Sequence, residues 1–364
     1  MLNRRKAIGA MAATLGSICY SNAHAGNQPV PLADAHSHIG LIQKNLRQID
    51  FTEQVKESGL SLISWCVVPD GKWLKSTSSG IVQNGKPAKG QINQEFNRQL
   101  STINNHLTEI NIKQALTPTD IDDAGKGEVR VVLSSEGSDF VEGDLANLAY
   151  AYKQGLRHTQ LVHYIQSELG DLQTIAPDKN GLTEFGVAVI NECNRLGLLV
   201  DLAHCNAKTL EQALEISSKP VIWSHGWCSV TQGRYDDPYG FLARRLSWDL
   251  SKKIASKNGV VGLWALGITD KGLDKYPEYP IAFDPNRRFK MYAKGMAHMV
   301  KELGADHVCF GTDLEGLGEH GVVNFYRDLR QVANLLSDSG LSDNEIFKVC
   351  IGNYSRVLKS AMSV

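Results

Sequence analysis

Eight short apolar runs, separated along most of the chain by stretches of helical periodicity, constrain the fold more than any other feature. The runs are Pro31–Gly40, Leu60–Pro69, Val129–Gly137, Leu156–His163, Leu198–Cys205, Pro220–Gly226, Val260–Leu266 and His307–Leu314. Between them, Gln91–Ile110, Gly181–Leu196, Ala207–Ser217, Ser247–Asn258 and Asn286–Leu303 repeat apolar residues at i, i+3 and i+4, as at Phe185, Val189, Ile190 and Cys193. Strands alternating with helices specify a parallel sheet, and eight such units predict an α/β fold, the (β/α)8 TIM-type barrel. Two stretches exceed a bare barrel. Asp70–Gly90, rich in Gly, Ser and Lys, reads as an inserted loop or hairpin, and Trp227–Arg244 is a long Gly/Tyr/Asp/Pro segment. Loops of that length in a compact domain serve as lids or binding loops.

Of the 364 residues 42% are hydrophobic and 21% charged, which excludes a disordered chain or a coiled coil. The net charge of −1 offers no basic surface to nucleic acid or to an anionic membrane. Arg4, Arg5 and Lys6 precede an apolar run, Ala7 to Tyr20, and then Ala23-His24-Ala25. Residues 1–25 are therefore predicted to be a cleavable export signal, of the twin-arginine or the ordinary secretory kind. Residues 26–364 would form one barrel domain, placed in the periplasm or secreted. Beyond residue 25 no apolar stretch approaches the ~18 residues of a membrane span. None of the seven cysteines sits in a C-x-x-C pair, and several lie inside apolar strands, where a small buried thiol is the plain reading.

The chemistry gathers at strand ends. The first run carries Asp34-Ala35-His36-Ser37-His38, and residues two apart in a strand share a face, so His36 and His38 point together as a pair of metal ligands. Other runs end in Ser135-Glu136-Gly137, Leu202-Ala203-His204, Trp223-Ser224-His225 and Gly311-Thr312-Asp313. Singly, each is an ordinary hydrogen-bonded polar residue. A barrel, however, brings its C-terminal strand ends to one mouth, where enzymes of this fold do their chemistry. His36, His38, His204 and His225 with a shared Glu136 can hold two divalent metal ions. Zinc suits such nitrogen and oxygen ligands, and manganese, iron or cobalt would also be accepted. Water between two cations would lose its proton near neutral pH and become the nucleophile. Asp313 would take that proton and pass it to a leaving nitrogen. The sequence carries no G-x-S-x-G elbow and no phosphate-cradling glycine loop.

With Leu156-Arg157 through Val162-His163, Asp201 before His204, Gly316 after Asp313, and Gly352-Asn353 with Arg356-Val357, these motifs form an ordered set. In it the chain resembles the renal (membrane) dipeptidase family of the metal-dependent amidohydrolase superfamily, over most of residues 31–357. The resemblance implies a barrel that hydrolyses a small dipeptide-like amide at a two-zinc site, and a homodimer. It assigns His36 and His38 to one metal, His204 and His225 to the other, and Glu136 to the bridge. His163 looks like the residue that polarises the substrate or its tetrahedral intermediate, and Arg245 like the arginine that holds the substrate carboxylate. Two departures fall on the substrate side: His38 replaces the family Asp, and Arg245-Leu246 replaces Arg-Asn. They keep two alternatives open, an amidohydrolase acting on another amide or lactone, and a non-catalytic periplasmic barrel that binds metal or ligand.

Several residues carry two readings. His158 and His163 have opposite parity in one strand, so only one can face the mouth, and Arg157 would point with His163. Asp34 either supports the His36 ring or is structural. Tyr164, Trp223 and Trp227 either line the pocket or pack. His106, His298, His307 and His320 have no motif context and are expected at the surface or as caps.

Overall fold

The computed structural model of the chain describes residues 29–42, 50–237, 240–267 and 287–363. The leader expected over residues 1–25 lies outside them. Seven of the eight apolar runs contain a strand, and the sixth begins one that runs three residues past it: β1 (Leu32–Ser37), β2 (Leu60–Val67), β3 (Arg130–Ser135), β4 (Leu156–Gln160), β5 (Leu199–Asp201), β6 (Ile222–Ser229), β7 (Val260–Leu263) and β8 (Val308–Phe310). They pair in this order, every pairing parallel. Just beyond β8, Leu314 bridges Ser37 of β1, the Asp313 N–H donates to the His36 carbonyl (2.9 Å) and the His38 N–H to the Leu314 carbonyl (3.0 Å). The ring closes there, as a (β/α)8 barrel requires.

Asp34 stitches this seam. Its buried carboxylate accepts the Thr312 N–H (2.9 Å), the Thr312 hydroxyl (2.5 Å) and the Tyr326 hydroxyl (3.2 Å). The possible support of the His36 ring is thereby corrected. Asp34 touches only the His36 backbone N–H, at 3.3 Å, because all its other bonds run to the last strand and its flank.

Helices Gln91–Glu109, Leu145–Lys153, Glu184–Leu196, Ala207–Ile216, Trp248–Ser256 and Arg288–Leu303 surround the sheet. Their ends follow local chemistry. The Thr183 side chain accepts the Gly186 N–H at the start of one, and Gly197, left-handed at φ 85°, ends it. Inside the ring, Ala33, Leu62, Val132, Leu199, Ile222 and Val260 pack against Tyr354, Val357 and Leu358 of the helix Asn353–Met362. That plug seals the end where the strands begin and leaves the opposite mouth for a ligand.

The insertion after β2 is the hairpin its composition suggests, Leu74–Thr77 against Gly80–Gln83. It reaches two other mouth loops: the Gln166 N–H donates to Gln83 Oε1 (2.9 Å) and the Gly240 N–H to the Ser79 carbonyl (2.5 Å). Trp227–Arg244 is less of a loop than expected, since β6 runs on to Ser229 and is flanked by a short parallel strand, Arg245–Ser247.

Other expectations change. β4 stops at Gln160, so its parity does not extend to His163. His158 points into the barrel, its Nδ1 3.2 Å from Ser64 Oγ and 3.1 Å from the Tyr354 hydroxyl, while Arg157 donates to the Leu116 and Tyr152 carbonyls and stacks over the Tyr152 ring. Trp223 and Trp227 are core residues. His106 is buried against Trp65 rather than at the surface. The six described cysteines are free and buried, and no described helix is long and apolar enough to cross a membrane.

Candidate metal centre

The mouth gathers the predicted ligands. His36 closes in from β1, His225 from β6, and His38, Glu136, His204 and Asp313 from the one to three residues that follow β1, β3, β5 and β8. All are at least nine-tenths buried. Glu136 stands at the centre: its Oε1 lies 3.1 Å from His204 Nε2, 3.3 Å from His225 Nε2 and 3.5 Å from His36 Nε2, and its Oε2 lies 3.1 Å from His38 Nε2. The imidazoles fall into two pairs. His36 and His38 approach Nε2 to Nε2 at 3.1 Å, and His204 and His225 at 3.2 Å.

Two facing ring nitrogens cannot both present lone pairs at that distance without a cation between them. A tetrahedral ion with ~2.0 Å bonds sets its ligand atoms about 3.3 Å apart, close to the spacings found. Glu136, His204 and His225 also form a compact candidate triad. Burial, with the Arg244 charge beside His204 and His36 beside His225, holds both rings well below the usual histidine range, so they stay neutral as ligation requires. Burial would raise the Glu136 carboxyl, but the His163, His36 and His38 rings outweigh it and hold it well below the ordinary range. The nitrogen spacings and the central Glu136 therefore fit divalent metal held by these imidazoles and this carboxylate.

Neighbours fix the rings. His38 Nδ1 lies 2.9 Å from the Cys66 carbonyl, and Ser224 Oγ lies 2.9 Å from His225 Nδ1 and 3.4 Å from His36 Nδ1. His204 and Asp313 both take left-handed backbone, φ 69° and 54°, which non-glycine residues rarely adopt and which cluster at functional sites. Gly316 matches this bend, since a Cβ there would stand 2.1 Å from Asp313 Oδ1. That Oδ1 lies 3.2 Å from His38 Nε2, and Trp264 Nε1–H donates to the other oxygen at 2.9 Å.

His163 enters from the loop after β4 with Nε2 3.2 Å from Glu136 Oε2 and Nδ1 2.8 Å from Asp70 Oδ1. Burial would lower its pKa, but the Asp70 and Glu136 charges raise it to about 10. A cavity of about 1050 Å³ opens above, and His163, Tyr164, His204, Arg244, Trp264 and Asp313 line its floor.

Arg245 lies apart from the cavity. Its guanidinium is held by Asp237 (2.9 Å), Thr231 (2.9 Å) and the Leu242 carbonyl (2.9 Å), and it does not line the cavity. Its neighbour does. Arg244, 1% exposed, donates to Gln173 Oε1 (3.2 Å) and the His225 carbonyl (3.3 Å) and lies over the Trp264 ring. Among the described residues no carboxylate pairs with it. Successive residues entering a strand face opposite ways, so two adjacent arginines could not be told apart from sequence. Asp70 and Trp264 were also missed. Trp264 had a signal, as it closes an apolar run at the mouth; Asp70 had none, as it opens the insertion.

A sequence model of the membrane dipeptidase family matches residues 22–364. The curated dipeptidase aclJ of Aspergillus oryzae is 27% identical over 240 residues, 64% of this chain and 51% of its own length. The chain spans about half the length of the curated relatives it matches first. Among solved structures, the metallopeptidase called dipeptidase AC superposes with a TM-score of 0.75 at 18% identity, over 93% of this chain and 100% of its own. A Rhodobacter sphaeroides metallopeptidase, crystallised with a phosphinate mimic of the dipeptide L-Ala-D-Ala, gives 0.71 at 18% identity, over 92% and 100%. These two likenesses establish the fold. A near full-length family match over a barrel whose strand ends converge on one carboxylate leads to one conclusion: the chain belongs to the membrane dipeptidase family, peptidase family M19.

Proposed function

We propose that this chain hydrolyses a dipeptide or dipeptide-like amide with the help of two divalent cations, zinc first among the candidates. The observation that carries the reading is the sharing of Glu136 by two histidine pairs, with Asp313 beside one of them and, across the cavity, Arg244, which no described carboxylate pairs. His36 and His38 would hold one ion, His204 and His225 the other, and Glu136 both. When bound, the ions would acidify water enough to yield a nucleophile near neutral pH.

The remaining steps belong to the protein. Arg244, buried and without a carboxylate partner among the described residues, receives the substrate carboxylate. His163 presents Nε2–H to the carbonyl oxygen of the scissile amide, where negative charge develops. Asp313, one oxygen fixed by Trp264, accepts the proton released as water adds to the carbonyl carbon and delivers it to the amide nitrogen as the C–N bond breaks.

A cavity near 1050 Å³ exceeds what a simple dipeptide fills, which favours a second reading: a bulkier amide, or a lactone, handled by the same residues. A panel of L,L- and L,D-dipeptides, N-acyl amino acids and lactones, run with metal analysis, tests both. Turnover of dipeptides at about two ions per chain supports the first reading, and turnover of the larger amides alone the second. Bound metal with no turnover would return the chain to a binding role. The leader-like segment 1–25 further supports an exported enzyme, checked by assaying periplasmic and culture fractions.

A further inference from the structure

The inserted segment after β2 brings a carboxylate to the mouth that the metal-binding scheme does not use. Asp70 is 3% exposed. It occupies the capping position of the short turn Gly71–Trp73, where an aspartate ordinarily gives its side chain to the turn's own N–H groups, yet it makes no such bond. Nor does it take the nearby cation: Lys72, two residues on, pairs with Glu95 at 2.6 Å. Both carboxylate oxygens turn instead to His163 Nδ1, at 2.8 and 3.0 Å, and Oδ2 also accepts the Tyr164 N–H at 3.4 Å. Burying a carboxylate is costly without partners, and its described partners are the ring and backbone of this one loop.

From this geometry we propose that Asp70 is the positioning residue for His163, holding Nδ1 so that Nε2 is the nitrogen presented to the scissile carbonyl. The proposal rests on the reading that His163 meets the substrate. His163 lies in a loop rather than in β4, so the sheet does not set its ring. Among the bonds that tie this loop down, the Asp70 bond reaches the ring itself, while the Gln83–Gln166 bond from the hairpin and the Ser167–Asp139 bond hold the segment that follows. On the other side, Gly137 lets the ring's Cβ approach closely; a Cβ on that glycine (φ +91°) would stand 3.2 Å from it. The insertion thus orients a residue carried by a different loop.

The test uses full-length, metal-loaded D70N and D70A beside wild type. Turnover of a dipeptide should fall by about 10- to 100-fold in kcat for D70A, the range for losing a partner that orients a site histidine, with KM and bound metal little changed. D70N, which keeps an acceptor of the same shape, should lose less. In an H163A background, D70A should cost almost nothing more, because the two act as one unit. Independently of turnover, nitrogen NMR of labelled histidine should show the His163 Nδ1 proton in wild type and its disturbance in D70A. Normal kcat in D70A, or equal further losses in the H163A background, overturns the proposal. So does an unchanged His163 spectrum, whatever the wild type hydrolyses. If the wild type cleaves no dipeptide while the spectrum responds as expected, the assigned reaction fails and the Asp70–His163 pairing stands.

Discussion

The two halves of the mouth are built differently. The half that gathers the candidate metal ligands stands on or just past strand ends, where barrel register fixes which side chains meet: His36, His38, Glu136, His204 and His225 come from β1, β3, β5 and β6 within three residues of the sheet. The other half, proposed to meet the substrate, is carried by loops. His163 stands beyond the end of β4, Asp70 opens an insertion, and Arg244 ends a long excursion from β6. A sheet sets geometry by its hydrogen-bond ladder, whereas a loop must fasten each side chain individually. The first half is thus suited to chemistry that demands fixed ligands, and the second is set contact by contact.

The contrast breaks most visibly if the ligand half tolerates change. His204→Ala or Glu136→Gln should release bound metal and abolish dipeptide hydrolysis, read by elemental analysis and assay on one sample. Asp313→Asn should retain both ions while kcat falls on the order of 10²–10⁴, the usual cost of lost acid–base help; ordinary turnover would remove it from the mechanism.

Within the loop half, Arg244 should respond in binding before rate. Losing a hydrogen bond to a charged group costs about 1.5–3 kcal/mol, so Arg244→Ala should raise KM for a dipeptide by roughly 10- to 150-fold. Arg245→Ala, which removes the ion pair with Asp237, should lower Tm and leave KM nearly unchanged. The reverse result would restore Arg245 as the carboxylate clamp.

The smallest effect concerns Asp139, beside Asp70 and Ser167. Burial, aided by the Asp70 charge and opposed by a bond from the Ser167 hydroxyl, pushes its carboxyl up to about 7. An unfolded aspartate titrates near ~3.9. Between these values the folded protein keeps a proton that the unfolded chain has released, so this group's contribution to stability declines as pH rises through that window and levels off above it. Thermal melts of Asp139→Asn should therefore gain on wild type between pH 5 and pH 8. A difference independent of pH would mean that Asp139 is ionised throughout.

How much the sequence discloses follows the same division. The eight strands are legible because apolar runs of strand length must be buried, and the ligand residues because they sit where those runs end. His163 is legible as a motif residue but not in its placement, since β4 ends before it and strand parity no longer applies. Arg244 is hidden by its twin: only the chain's path into the short strand Arg245–Ser247 decides which guanidinium turns inward. Asp34 misleads for another reason. Its neighbour in sequence is His36, but its partners, Thr312 and Tyr326, lie nearly three hundred residues away.

That distant partnership bears on biogenesis. Because the Asp34 carboxylate and the Ser37–Leu314 bridge join the first strand to the last, the rim bearing His36 and His38 takes shape only after the chain has been made through residue 314. Contacts so remote in sequence form late and slowly. A nascent or truncated polypeptide would therefore keep His36 and His38 away from Asp313 until the ring shuts.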